Sequence, residues 1–255
     1  MDFISGQILK VDKPLHWTSF DVVKRIRGVL RRRHGIKRFK VGHAGTLDPL
    51  ATGVMLVCTG RATKLINQLQ AGTKEYVATI RLGATTPSHD LETAIDSTSP
   101  TDHLTSDDVR NALSRFIGTV DQIPPVFSAV KIDGKRAYKF ARRGEAPELK
   151  PKQVEIAELE LLSCRIPEIK VRVVCGKGTY IRSLARDLGV ELGVGAHLTA
   201  LRRTRVGDVS IYDCPDAPKM LEFLGDVEIE IPSDSSSPSS PNKQEINDTT
   251  HRNEI

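Results

Sequence analysis

No apolar run in the 255 residues approaches the roughly 18 residues of a membrane-spanning helix. The opening Met-Asp-Phe-Ile-Ser-Gly lacks a basic segment followed by an apolar core, so no secretory signal is expected. Cysteine is scarce: Cys58, Cys164, Cys175 and Cys214 lie 106, 11 and 39 residues apart and form no CxxC pair. Three of the four sit in or beside apolar, strand-like runs, which points to buried free thiols in a reducing cytosol. HExxH is missing, and His43 has no second His or Cys at ligand spacing, so no metal is expected. Glycines are clustered, yet they fit neither GxGxxG nor the phosphate-loop pattern, so no nucleotide cofactor follows. No internal repeat is visible.

What remains is an ordinary soluble composition, 27% charged and 39% hydrophobic, with room for one large domain or two modest ones. The net charge of +5 is unevenly spread. Residues 226–255 hold seven acids and two bases, so residues 1–225 carry about +10. An excess of that size favours an anionic partner, and nucleic acid ranks ahead of a membrane because no amphipathic anchor accompanies it.

Local patterns suggest the elements. Gly6–Asp12 reads as a strand, and Thr18-Ser-Phe-Asp21 as the capping box of a helix whose stripe is Val22, Val23, Ile26, Val29 and Leu30. Val54–Cys58 and Tyr76–Leu82 read as strands. Thr105-Ser-Asp-Asp108 caps a second helix with Val109, Ala112, Leu113, Phe116 and Ile117 inward, stopped at Gly118. Val126–Ile132 with Asp133-Gly134 suggests a strand entering a hairpin. Strands resume at Val154–Leu162 and Ile169–Cys175, and Thr179–Leu188 reads as a helix ending at Gly189. Without a βαβ period, the reading is one α+β domain, a largely antiparallel mixed sheet flanked by helices. From about Pro232 the chain is Ser, Pro, Asn and Thr with scattered charge; residues 226–255 are expected to form an acidic, disordered tail.

Four features carry candidate chemistry. Lys24–Lys40 holds nine bases and no acid in 17 residues; a merely solvated face interleaves acids, so a phosphate backbone explains it better. Gly42-His-Ala-Gly-Thr-Leu-Asp-Pro-Leu-Ala-Thr-Gly53 is a loop in which Pro49 keeps Asp48 out of the helical region. By spacing alone, Asp-Pro in Gly-rich sequence is ordinarily a turn. In Cys175-Gly-Lys-Gly-Thr-Tyr-Ile-Arg-Ser-Leu184, Arg182 stands beside Ile181 and Leu184, and a buried Arg needs an anionic partner, structural or functional. Tyr76 in Lys74-Glu-Tyr76 is by itself more often core than ligand.

Together these segments resemble the TruB-type tRNA pseudouridine synthases. The matching residues are Gly6–Pro14 with Thr18-Ser19, the Gly42–Gly53 block, Lys74-Glu-Tyr76, Leu82-Gly83 and Thr86-Pro-Ser-His-Asp90. Pro124–Lys131, Gly134-Lys-Arg-Ala-Tyr138, Gly178-Thr-Tyr-Ile-Arg182 and Leu201-Arg-Arg-Thr204 follow in order. The resemblance runs from residue 3 to about 215, and its Gly-Thr-Leu-Asp-Pro-Leu-Ala-Thr-Gly block is very specific. It implies the pseudouridine synthase fold and isomerisation of the T-loop uridine at tRNA position 55.

By the same resemblance Asp48 is the catalytic carboxylate, Tyr76 stacks on the flipped uracil, and Tyr180 lines its pocket. Arg182 pairs with Asp48 and holds it ionised, His43 lies beside the displaced nucleotide, and Leu201 closes the apolar wall. Residues from about 124 to 153 correspond to a mobile loop that grips RNA. The basic segment, with Arg31, Arg32, Arg33, Lys37 and Arg38, is the candidate contact with the RNA backbone. The reaction needs no redox step and no group donor, so neither cofactor nor metal is implied; the partner is the tRNA T-stem-loop, met by a cytoplasmic monomer. The competing class is a non-catalytic RNA-binding or tRNA-folding module on the same scaffold. Two departures stand out. His16 occupies a position that is Gly in the family motif, and residues after about Ser210 are too few and too polar for the small C-terminal RNA-binding domain of many bacterial members, so 1–225 is expected to be the catalytic domain.

Overall fold

The computed structural model describes residues 1–35, 40–128, 130–132, 134–137, 140, 143, 145, 147 and 149–227. Its strands are β1 (Ile8–Lys13), β2 (Val41–His43), β3 (Ala51–Thr59), β4 (Lys74–Leu82), β5 (Ala84–Thr85), β6 (Ser97–Thr98) and β7 (Gly118–Gln122). After them come β8 (Lys131–Ile132), β9 (Lys135–Arg136), β10 (Lys152–Arg165), β11 (Glu168–Cys175), β12 (Ala196–Val206) and β13 (Val209–Ser210). The α-helices are α1 (Ser19–His34), α2 (Ile66–Ala71), α3 (Ser106–Ser114), α4 (Ile181–Glu191) and α5 (Ala217–Asp226).

One sheet runs in the order β1-β3-β12-β4-β11-β10-β7, with β2 beside β3 and β13 beside β12. All its pairings are antiparallel except β3 with β12, which holds for three residue pairs. The α+β reading, with a largely antiparallel mixed sheet, therefore stands. β8 and β9 form the expected hairpin, with Gly134 at φ 78°, but only Lys131–Ile132 of the expected Val126–Ile132 strand is extended; residues 126–128 bend instead.

Register decides which residues share a face. Leu201 of β12 opposes Ala51 on one side and Ala78 on the other, and Arg203 opposes Gly53 and Tyr76. Directly opposed residues point the same way. On that face Ala51, Tyr76 and Ala78 pack with Val109 of α3 and Leu184 of α4. Met55 and Val57, two and three pleats further along β3, pack with Val22, Ile26 and Leu30 of α1 and with Met220 of α5. Two groups of helices thus stand on one face of the sheet.

The opposite face is polar where it meets solvent. Arg172 of β11 donates from Nε and Nη2 to Glu75 Oε2 at 3.0 and 2.8 Å and from Nη1 to Glu158 at 2.6 Å. Thr204 donates to the other Glu75 oxygen at 2.7 Å, and Arg202 pairs with Asp12 at 2.7 Å.

Several boundaries differ from the sequence reading, each for a tertiary reason. α3 ends at Ser114, which leaves Ile117 half-exposed beyond it, and Gly118 opens β7 instead of stopping the helix. Gly189 lies inside α4, where a Cβ would collide with the backbone at Ala196. α5 was not read from sequence; Asp216 caps it, and it buries Ala217, Met220 and Leu224 against α1.

Candidate active site

Asp48 sits on the loop between β2 and β3, and neighbouring segments fix that loop from several directions. Gly53, with φ +110°, lies so close to the Arg203 main chain that a Cβ would collide with it, so only glycine permits the β3–β12 approach. Arg203 is 1% exposed; its Nε donates to the Val54 carbonyl at 2.7 Å and its Nη2 to that of Gly45 at 3.3 Å. Ser19 Oγ donates to the Leu47 carbonyl at 2.9 Å and accepts from the Leu47 N–H at 2.8 Å. Thus the start of α1 is pinned to the residue before Asp48.

The residue after it is pinned too. The Pro49 carbonyl accepts from the His16 N–H at 2.8 Å and from Lys13 Nζ at 3.5 Å. Lys13 is fully buried, and burial lowers its pKa to about 8 despite the attraction of Asp48. His16 adopts φ 66°, the left-handed region. That explains why glycine suits the position in the family motif, since a non-glycine residue is strained there.

Arg182, 4% exposed, lies in the first turn of α4. Its Nε meets Asp48 Oδ2 at 2.9 Å and Asp90 Oδ2 at 3.7 Å. Nη1 donates to the Ser88 carbonyl at 3.2 Å and Nη2 to that of Phe127 at 2.8 Å. The contact with Asp48 is therefore single, not a two-bond fork, because main-chain carbonyls occupy the other two nitrogens. Burial lifts the Asp48 carboxyl above the usual carboxylate range; the Arg182 and Lys13 charges pull it down, and Asp90 adds to the rise. Arg182 thus limits the rise rather than cancelling it.

Tyr180 is the N-cap of α4 and offers no capping side chain. Its N–H is taken instead by Oε1 of Gln122, a buried residue at the end of β7, at 2.8 Å. Nearby, Ser183 Oγ and Arg186 Nη2 both donate to the Ile123 carbonyl, at 2.8 and 3.0 Å. The start of α4 consequently holds residues 122–128 through three side chains and one main-chain N–H.

Asp48, Tyr76, Tyr180, Arg182, Leu201 and Arg203 line a cleft of about 1110 Å³, part of it open to solvent. A smaller hollow of about 280 Å³ shares Asp48, Arg182 and Leu201 with it and adds Asp90. Burial pushes both tyrosine hydroxyls up, so they stay neutral. His43 lies on β2, half-buried, and is not among the residues lining either space; its Nδ1 is buried with no hydrogen-bond partner among the described residues. Arg31, Arg32 and Arg33 are exposed on α1, while Lys37 and Arg38 lie outside the described residues.

Sequence reasoning assigned no role to Lys13, Asp90, Gln122 or Arg203. Lys13, Asp90 and Arg203 lie inside matched segments, and that membership is the one signal the sequence offers for them. Chemically, the arrangement offers the Asp48 carboxylate beside a permanent cation that Asp90 also approaches, with two neutral tyrosines lining the same cleft. It suits base or nucleophile work by a carboxylate next to a flat, uncharged ring.

The architecture is the pseudouridine synthase fold. The chain superposes with a TM-score of 0.65 on a protein in a crystal structure of a Cbf5-Nop10-Gar1 complex, at 29% identity, covering 88% of this chain and 55% of that one. A structure of an H/ACA RNP bound to a substrate RNA containing 2′-deoxyuridine gives 0.63 at 26% identity, over 87% and 54%. This chain thus spans about half the length of those proteins. Residues 31–181 match the model of the TruB family pseudouridylate synthase N-terminal domain, and residues 182–226 that of the tRNA pseudouridylate synthase B C-terminal domain.

The chain belongs to the TruB family. It is 62% identical over 230 residues to tRNA pseudouridine synthase B of Phocaeicola vulgatus, covering 90% of this chain and 98% of that protein. The Flavobacterium johnsoniae protein of the same name is 50% identical, over 88% and 98%. The two matched stretches form one body here: their junction falls inside α4, and the second supplies β12 at the middle of the sheet.

Proposed function

We propose that this chain converts the T-loop uridine at tRNA position 55 to pseudouridine, with residues 1–225 as the catalytic unit. The observation that carries the reading is the Asp48–Arg182 pair at the base of a cleft walled by Tyr76 and Tyr180. In the reaction the N1–C1′ bond breaks, the uracil turns, and C5 joins C1′, with no atom gained or lost. The base must leave the RNA stack to reach a carboxylate recessed in a cleft, and an aromatic face compensates the lost stacking. Tyr76 supplies that face, Tyr180 and Leu201 the walls, and Asp48 acts at the sugar. Arg182 orients Asp48 and favours its ionised form. Residues 122–128, fixed to α4, begin the stretch from about 124 to 153 expected to grip RNA, part of which lies outside the described residues. Exposed Arg31, Arg32 and Arg33, with Lys37 and Arg38, supply phosphate contacts.

Asp48→Asn keeps the side chain's size and removes its charge. Single-turnover conversion of tRNA at saturating enzyme should be abolished while tRNA affinity stays near wild type, because phosphate contacts dominate binding. Near-normal conversion by this variant would refute the assignment.

A further inference from the structure

Between α1 and α5 runs a second open groove, of about 770 Å³. Lys24, Arg25 and Arg32 wall it, and Gly28, Val29 and Leu221 form its floor. Lys24, Gly28 and Arg32 follow one another at i, i+4, so two cations flank a position where no side chain keeps a ligand from the helix surface. The groove's one carboxylate, Asp21, is engaged in the capping box, accepting from the Thr18 N–H at 2.9 Å and hydroxyl at 2.6 Å. Arg25 lies over the Trp17 ring, 4.1 Å from its centroid. Among the described residues, no base of α1 is in an ion pair.

The groove is placed to meet the same RNA as the catalytic cleft. α1 stands on the sheet face that carries Tyr76 and Arg203, and Ser19 ties its first residue to Leu47, next to Asp48. From Ser19 to Arg32 the helix advances about 20 Å. A nucleic acid whose loop enters the cleft therefore has its stem within reach of the groove.

We infer that the α1–α5 groove holds the sugar–phosphate backbone of a base-paired stem that continues from the loop carrying the target uridine. The inference rests on the proposed function and adds a requirement to it: affinity depends on stem length, not on the loop alone. Three cations to one carboxylate in an open groove leave an excess that matches a regular polyanion, and the contact they make is independent of sequence.

The test uses two hairpins with the same loop, one on a short stem and one on a lengthened stem, and three proteins. These are the wild type, Lys24→Gln/Arg32→Gln, and Gly28→Met, which fills the groove without changing charge. A Cβ at Gly28 comes only to 3.5 Å from Arg32 Nη1, so the helix tolerates it. Wild-type protein should gain affinity as the stem lengthens. The double variant should lose that gain, roughly ten- to fiftyfold at 0.1 M salt, and flatten the slope of log K against log salt by about 1.4 to 1.8, the share of two phosphate contacts. Gly28→Met should lose the gain as well. Wild type and Gly28→Met should still form pseudouridine in the short hairpin. If the variants bind both hairpins as wild type does, or lose equally on both, the groove assignment falls while the catalytic reading stands. If the wild type converts neither hairpin nor intact tRNA, it is the catalytic reading that fails.

Discussion

Three arginines on the outer sheet face and those on α1 live by opposite rules. Arg172 and Arg205 share Glu75, and Arg202 has Asp12, so that each of these three guanidiniums is matched by an acid of the same chain. Arg31, Arg32 and Arg33 are exposed, and the described residues offer them no acid. The first group is internally neutralised and serves the fold. The second raises the energy of the free protein through self-repulsion, a cost that an anionic partner removes. Arg182 combines both: it is buried and paired, but its partner faces the cleft.

The sharpest break between these classes should come at Arg182. Arg182→Ala should lower the single-turnover rate by roughly a hundredfold, the low end of what a positioned base contributes. Its pH profile should shift as well. Burial already lifts the Asp48 carboxyl, Arg182 opposes that rise, and the reaction needs the ionised form. Removing Arg182 therefore moves the acid limb of the rate to higher pH, and the defect should shrink as pH is raised. A defect of constant size across pH would deny Arg182 its charge role.

At Arg172 the expected loss is of stability instead. Burial pushes the Glu75 carboxyl up, but bonds from Thr204 and Arg172 and the Arg172 and Arg205 charges outweigh it and hold the pKa below 4.5. A folded-state pKa below the unfolded one stabilises at pH above the unfolded value, and the benefit fades as pH falls through the folded one. Arg172→Ala should cost about 1–3 kcal/mol in urea melts at pH 7, less at pH 3, and leave the salt slope of tRNA binding unchanged. A changed slope would mean that the sheet face also binds RNA.

Gln122 refines the contrast with a neutral group. Gln122→Leu should slow single-turnover conversion about tenfold, equivalent to about 1.4 kcal/mol of lost positioning, with affinity retained. Gln122→Glu keeps the acceptor for the Tyr180 N–H and should recover most of the rate. Equal rates in the two variants would reduce Gln122 to packing. The smallest effect belongs to α1: Arg31→Gln with Arg33→Gln should change stability by less than about 0.5 kcal/mol while weakening tRNA binding. A larger loss of stability would show that these side chains support the fold.

The sequence was most legible where a local rule governs. The Thr18–Asp21 and Thr105–Asp108 boxes cap α1 and α3 as their side chains require, and Pro49 and the glycines place Asp48 on a loop. β12 was illegible because His197, Arg202, Arg203 and Arg205 give it the look of a surface segment. It is nonetheless the strand that joins β3 to β4, since carbonyls of Val54 and Gly45 satisfy the buried Arg203 and acids outside the strand take Arg202 and Arg205. α5 begins with Ala217-Pro218 after Cys214-Pro215-Asp216, a turn-like string whose helix is decided by packing on α1. The pairing of Arg182 with Asp48 came from resemblance; that the remaining guanidinium nitrogens go to main-chain carbonyls had no sequence signal.

Those carbonyls set a boundary for anyone wishing to redirect the enzyme. Arg182 grips Ser88 and Phe127 by atoms that every amino acid possesses, so exchanging the side chains at those positions leaves its grip intact. An insertion or a deletion within 122–128, which already holds Pro124 and Pro125, displaces the backbone itself and with it the orientation of Asp48. Loops borrowed from other proteins to confer a new RNA target should therefore be joined after Ser128, with the native path up to that residue kept.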